Sequence, residues 1–247
     1  MDTPFAIPRT PNAYAYPLLI GQILESAQTC SAAQEIVHGE LRYTYAQLQQ
    51  RVAQLGSALT SLGIAAGDTV AVMDWDTHRY LEAYFAVPML GAVLMTANIR
   101  LSPEQLAYTL NHSGAKALLV HSEFLPMLEA IRPHLSTVDR FVLLDDSGTV
   151  DAPAGFCGEY EALLSEGDPQ HAFGDFDENT QATVFYTTGT TGAPKGVYFS
   201  HRQIVLYVVA VTAALACGAQ HARVHREDVY MPITPMFHVH AWGFPYM

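Results

Sequence analysis

Residues 186–196 read Tyr186-Thr187-Thr188-Gly189-Thr190-Thr191-Gly192-Ala193-Pro194-Lys195-Gly196, directly after the apolar run 182–185. Four threonines, three glycines and one lysine fall within these eleven residues. Glycine lets backbone N–H groups turn toward a bound anion and, lacking a side chain, lets that anion come close. Threonine hydroxyls add donors or ligate a hard cation such as magnesium, and Lys195 supplies a full positive charge. Residues 189–192 alone would read as a surface turn; the whole stretch reads as a polyphosphate cradle. It is neither of two familiar kinds. Walker A requires Gly-Lys followed by Ser or Thr, whereas Lys195 stands between Pro194 and Gly196. The dinucleotide fingerprint G-x-G-x-x-G is also absent, because two residues separate Gly189 from Gly192.

Downstream, residues 197–199 continue as a strand, and Ser200-His201-Arg202-Gln203 forms a capping box that opens an apolar helix over 204–217. The loop therefore joins strand to strand, with the helix coming after. An anion would be held by loop N–H groups, hydroxyls and Lys195 rather than by a helix N-terminus. The run 204–217 is the longest apolar one, interrupted only by Thr212. It falls short of the ~20 residues that span a bilayer, so a buried helix is expected.

Upstream, the chain alternates strands and helices. A helix is expected over 17–28 with proline in its first turn, then two short strands, 35–38 and 41–43, around Gly39-Glu40. Thr44 caps a helix whose apolar positions Leu48, Val52, Leu55, Leu59 and Leu62 recur at helical spacing. Strands follow at 69–73, 92–95, 117–121 and 141–144, with helices at 80–90, from Ser102 to near Gly114, and at 123–132. Ser102-Pro103-Glu104-Gln105 marks the second of these by N-cap, N1 proline and N3 glutamine. Such alternation implies an α/β fold with a largely parallel sheet covered by helices on both faces. Residues 145–181, rich in Asp, Glu, Gly and Pro, read as a surface connection with a short helix at 160–164.

Half of the 247 residues are hydrophobic and 15% are charged, which excludes a disordered chain. Twelve basic against 24 acidic side chains give a net charge of −12. That balance argues against a nucleic-acid binder but not against a nucleotide substrate. Cys30, Cys157 and Cys217 are odd in number and widely spaced. They suit reduced thiols in the cytoplasm and form neither a disulfide framework nor a zinc pattern. The N-terminus lacks the basic start and apolar core of a signal peptide.

Towards the end of the chain a short strand is expected at 229–231. It leads into Pro235-Met236-Phe237-His238-Val239-His240-Ala241-Trp242-Gly243-Phe244-Pro245-Tyr246. On an extended strand His238 and His240 would point to opposite faces, which disfavours a shared metal. His221 and His225 are better spaced for chelation if helical, but no third histidine lies near them in sequence.

These residues are similar to a known family. Residues 186–196 resemble the phosphate-loop signature of the adenylate-forming (AMP-binding) superfamily, and Pro235-Met236-Phe237-His238 resembles its second signature. The stretch that follows, with Glu82-Ala83-Tyr84-Phe85-Ala86-Val87-Pro88 and Ala97-Asn98-Ile99-Arg100-Leu101-Ser102-Pro103-Glu104 upstream, looks most like the medium- and long-chain fatty acyl-CoA synthetase branch. The resemblance implies acyl-adenylate formation from a carboxylic acid and ATP, then thioester formation with coenzyme A. It would place Thr187 by the magnesium ion and set Thr188, Gly189, Thr190, Thr191, Gly192 and Lys195 around the phosphates, with Lys195 and Thr190 in the catalytic set. His238 would lie beside the acyl carboxylate and the α-phosphate. Trp242 would line the acyl pocket or belong to the core. The relatives that activate amino acids carry aspartate after the phenylalanine of the second signature. Here His238 follows Phe237, which fits an acid without an α-amino group.

By the same resemblance, residues 1–247 form an incomplete N-terminal adenylation domain of the acyl-CoA synthetase-like fold. The C-terminal domain and the remaining magnesium, ribose and lysine residues would lie beyond Met247. Two alternatives stand beside the fatty acyl-CoA ligase reading: a ligase for an aryl or other acid, and a non-catalytic phosphate-binding or interaction module. No spanning segment is expected, and a homodimer is compatible with any of these.

Overall fold

The computed structural model describes residues 8, 10–187, 192–219 and 223–247. A seven-stranded sheet runs through the middle of the chain in the order β7-β6-β5-β3-β4-β8-β9. Its strands are β3 (Thr69–Met73), β4 (Val93–Thr96), β5 (Ala115–His121), β6 (Arg140–Leu144), β7 (Gly158–Glu159), β8 (Gln181–Thr187) and β9 (Lys195–Ser200). All neighbours pair in parallel except β8 and β9, which form an antiparallel hairpin. A separate hairpin joins β1 (Glu35–His38) to β2 (Leu41–Thr44).

Side chains alternate across a strand, and here the alternation sorts the interior into two cores. Val70, Val72, Leu94, Ala117, Leu119, Val142 and Leu144 face one side, with α1 (Gly21–Ser31), α2 (Tyr45–Ser61), α3 (His78–Met89) and α6 (Tyr160–Glu166). Ala71, Met73, Met95, Leu118, Val120 and Phe141 face the other, under α4 (Pro103–His112) and α5 (Leu125–Ile131). The expected largely parallel α/β sheet, covered on both faces, is present. Helix starts follow the caps: Thr44, Ser102 and Ser200 each accept from the N3 backbone N–H while the N3 glutamine reaches back. Thr77, not singled out in the sequence, caps α3 by accepting from Tyr80.

Several expectations are corrected. The first helix begins at Gly21, not at Pro17. The N–H of Leu18 is given to the Glu178 carboxylate at 2.8 Å and that of Ile20 to His201 Nδ1 at 3.2 Å, so tertiary partners take the donors of the anticipated first turn. The connection 145–181 is not all surface. Asp145 is buried, β7 extends the sheet, and Tyr160 and Leu164 lie in the core. The helix after the hairpin, α7 (His201–Ala216), is not buried. Ile204, Val205 and Val208 face the core, while Leu206, Tyr207 and Val209 are exposed. Following an edge strand, it has one covered side. Residues 229–231 form no strand, and Val229 and Met231 are largely exposed.

One buried ionic network ties α2, α3, α6 and β2 together. Glu82, with no exposed surface, accepts from Arg51 Nε at 2.6 Å, Tyr160 OH at 2.6 Å and Tyr43 OH at 3.1 Å. Arg51 also forms a fork with Glu161, at 2.8 and 2.9 Å. Arg51 and His78 hold the Glu161 carboxyl down at about 2 against the effect of burial.

Candidate functional site

In a parallel sheet the C-terminal ends of the strands share one edge, where ligands of α/β proteins gather. Three such ends matter here: residues 74–77 after β3, Thr96 at the end of β4, and Thr187 at the end of β8. The phosphate-loop candidate grows from the third. The last pair of the β8–β9 ladder is Thr187 with Lys195, so the loop leaves and re-enters the sheet through these two residues. Thr187 Oγ1 donates to the Lys195 carbonyl at 3.5 Å, and both residues are exposed. Among the described residues no carboxylate lies within ion-pair distance of Lys195. Gly192 adopts φ +103°, a conformation that side-chain-bearing residues rarely adopt. Thr188, Gly189, Thr190 and Thr191 lie outside the described residues.

Beneath the loop mouth Tyr186 points into the core under α4. Its hydroxyl meets His112 Nδ1 at 2.8 Å, and burial pushes the phenol up to about 12. Gly196 lies over the Tyr186 ring, where an added Cβ would sit 3.5 Å from it. The hairpin base is thus fixed to the helix layer while Thr187 and Lys195 face solvent.

Residues 235–238 lie across the ends of β3 and β4, held by three side chains from distant parts of the chain. Asp76 Oδ1 accepts the Met236 N–H at 2.6 Å. Tyr84 OH donates to the Met236 carbonyl at 2.5 Å, and Thr96 Oγ1 to the Phe237 carbonyl at 3.2 Å. Thr96 is paired with Phe185 in the β4–β8 ladder, two residues before Thr187. Neighbouring strands lie about 4.8 Å apart, so the clamp holds Phe237 at the end of β4, one strand away from the end of β8. Met236 and Phe237 are buried; His238, next in line, is exposed. Arg100 lies over the Phe237 ring at 5.8 Å.

The extended strand expected through His238 and His240 is not formed. Val239, His240, Ala241, Trp242 and Gly243 all have positive φ, between 46° and 73°, and wind a left-handed turn. His240 is thereby folded inward, edge-on to Phe185 at 5.0 Å and to Tyr84 at 6.0 Å. Burial pushes its imidazole down to about 3, and among the described residues its Nε2 has no partner. Trp242 is 57% exposed, which removes its reading as core; the Tyr207 hydroxyl donates to its carbonyl at 2.8 Å.

The arrangement supplies a cation and a hydroxyl at the loop mouth and an imidazole at the adjoining strand ends. Among the described residues no group of three His, Cys, Asp or Glu side chains could hold a metal ion. His221 lies outside them. Asp76, Tyr84, Thr96, His112 and His240 are the neighbours sequence reasoning missed as parts of the site. The aspartate and threonine beside strand ends 69–73 and 92–95 were the available signal, but nothing local pairs them with residues 236–237.

The chain is 44% identical over 93% of its length to a long-chain-fatty-acid–CoA ligase of Thermus thermophilus. It is 38% identical over 93% of its length to a medium-chain-fatty-acid–CoA ligase of Ectopseudomonas oleovorans. It spans 41% and 42% of those relatives' lengths. Among solved structures, an anthranilate CoA ligase bound to anthranoyl-AMP matches with a TM-score of 0.71 at 26% identity, covering 81% of this chain and 37% of that one. The N-terminal domain of FACL13 from Mycobacterium tuberculosis matches in fold with a TM-score of 0.75 at 24% identity, covering 92% and 54%. Among the described residues no helix is long and apolar enough to cross a membrane. The family model of the AMP-binding enzymes aligns with residues 24–247, and the chain belongs to that family.

Proposed function

We propose that the chain forms one wall of the adenylation site of an AMP-forming fatty acyl-CoA ligase. The observation that carries this reading is the convergence of the Thr187–Lys195 loop mouth and the clamped 235–238 segment on one edge of the sheet. In the first half-reaction a carboxylate oxygen attacks the α-phosphorus of ATP. A phosphorus–oxygen bond forms, and the bond to the bridging oxygen breaks to release pyrophosphate. Two anions must meet, so the protein's task is positioning and charge neutralisation. Lys195 neutralises phosphate charge, and residues 188–192 supply donors around the β- and γ-phosphates. His238 donates a hydrogen bond where charge gathers on the acyl carboxylate and α-phosphate. In the second half-reaction the thiol of coenzyme A displaces AMP from the acyl carbon.

Magnesium would offset phosphate charge, with the exposed Thr187 hydroxyl as one hard ligand and phosphate and water oxygens as others. In this reading the exposed Trp242, four residues after His238, is the side chain that would flank the acyl group. Identity to the relatives supports one substrate class over the other. Fatty-acid ligases match at 44% and 38% identity, whereas a peroxisomal trans-cinnamate:CoA ligase of Petunia hybrida matches at 34%. An aliphatic acid is therefore preferred to an aryl one. Three unpaired thiols suit a reducing cytoplasm.

Acid-dependent exchange of labelled pyrophosphate into ATP tests the proposal, using medium- and long-chain fatty acids against cinnamate and benzoate. Exchange with the aliphatic acids supports it. If this chain is silent while the same chain extended to its relatives' length exchanges, the site is shared with residues beyond Met247. Absence of exchange from both overturns the reading.

A further inference from the structure

We propose that Asp76 is a positioning residue for His238, acting through the backbone of Met236; this rests on the adenylation reading above. Asp76 stands 160 residues away in sequence, between β3 and α3, yet its Oδ1 receives the Met236 N–H at 2.6 Å. Met236 and Phe237 are buried among side chains, where a backbone donor without an acceptor is costly. Two more bonds, from Tyr84 and Thr96, fix the neighbouring carbonyls. With its carbonyls and one N–H held, the peptide plane from which His238 projects has little freedom to rotate. Tyr84 and Thr96 are neutral donors; Asp76 alone of the three carries charge, and a charge-assisted bond is the stronger kind.

The clamp therefore has an ionisable member outside the reacting groups. The groups near Asp76 are Arg100 from the β4–α4 connection, Tyr80 and Tyr84 of α3, and Tyr230. Arg100 also lies over the Phe237 ring, so a cation near Asp76 touches the same segment. Burial raises the Asp76 carboxyl above its ordinary range, while the Met236 N–H and Arg100 oppose the rise. As pH falls, protonation weakens the bond to Met236 and loosens the His238 backbone. This would happen before an exposed aspartate protonates.

The test uses NMR of histidine-labelled protein, with the His238 signal assigned by its loss in His238→Gln. Its ring shift is followed through mildly acidic pH in the wild type, Asp76→Asn and Asp76→Ala. The expected result is an inflection of the His238 signal in the wild type that is absent from Asp76→Asn, whose amide oxygen still accepts but does not titrate. In Asp76→Ala the signal should move or broaden at every pH. A His238 signal that superimposes in all three proteins overturns the proposal, even if Asp76→Ala lowers the melting temperature. This readout needs neither ATP nor turnover, so failure of the adenylation reading would leave it intact.

Where acid-dependent exchange is measurable, Asp76→Ala should lower kcat roughly 10- to 100-fold, as expected for misplacing a reacting neighbour. The KM for ATP should change by less than about twofold, because the phosphate loop is untouched. Asp76→Asn should recover most of the loss. An equal loss in Asn and Ala, or a change confined to KM, overturns the proposal.

Discussion

Acid should weaken this fold through His201, and the size of the effect follows from its burial. His201 opens α7 with no exposed surface, and its Nδ1 accepts the N–H of Ile20 at 3.2 Å. The Phe176 ring stands edge-on at 5.0 Å. Burial, the largest influence, pushes the imidazole down from 6.5 to about 4. Because the folded state lowers the proton affinity of this base, the unfolded chain binds more protons between those two values, so stability rises with pH there. The full contribution is present above about 6.5 and is lost as pH falls toward 4. At ~1.4 kcal/mol per pH unit the limit is about 3 kcal/mol, of which about 2 kcal/mol is gone by about pH 5. The perturbation is His201→Asn, whose amide oxygen can replace Nδ1 as acceptor for Ile20 but cannot titrate. Urea unfolding of both proteins near pH 7.5 and pH 5 is the assay. The wild type should lose about 2 kcal/mol more than the variant over that interval. An equal loss in the two proteins would refute the argument.

Lys195→Ala should weaken binding of magnesium-ATP by roughly 10- to 100-fold in calorimetric titration, the worth of one charge-assisted bond; unchanged affinity would remove Lys195 from the phosphate site. Glu82→Ala should cost about 3–5 kcal/mol in urea unfolding, because it strips Arg51 of one buried carboxylate and two tyrosines of their acceptor. A cost under about 1 kcal/mol would show that Arg51 is satisfied by Glu161 alone. Gly167→Ala would set a Cβ 2.4 Å from the Gln54 carbonyl oxygen of α2. Overpacking of that kind costs about 1–3 kcal/mol, and a thermal melt no lower than wild type would contradict it.

The sheet was legible because its signals are local. Val70 and Val72 alternate with Ala71 and Met73 in a run with no polar interruption after Thr69, as a strand covered on both faces requires. Ser102 and Gln105 carry the start of α4 in four residues. The candidate site was legible in its two signatures for the same reason. What escaped depends on contacts distant in sequence. The N–H groups of Leu18 and Ile20 look available to a helix until Glu178 and His201 arrive from 160 and 181 residues away. The apolar run of α7 looks like core until its place after an edge strand is known. Hydrophobicity predicted that α7 has a core-facing side; it could not predict how much of the helix that side would occupy.

The left-handed turn at 239–243 carries the same lesson into the site. A left-handed conformation costs roughly 1–2 kcal/mol for each residue with a Cβ, and four of these five have one. Gly243 escapes that cost, and a Cβ there would also meet the Tyr207 ring at 2.7 Å. Gly243 alone does not offset the cost at the other four, so the ends of the turn and its buried side chains must impose it. At one end the clamp on Met236 and Phe237 fixes the entering peptides; at the other the Tyr207 hydroxyl holds the Trp242 carbonyl. Between them His240, Ala241 and Tyr246 are buried against Tyr84 and Phe185. An extended strand would instead have placed His238 and His240 on opposite faces. The turn buries His240 and leaves His238 and Trp242 exposed, so the strained backbone separates an inward imidazole from the two side chains that reach solvent.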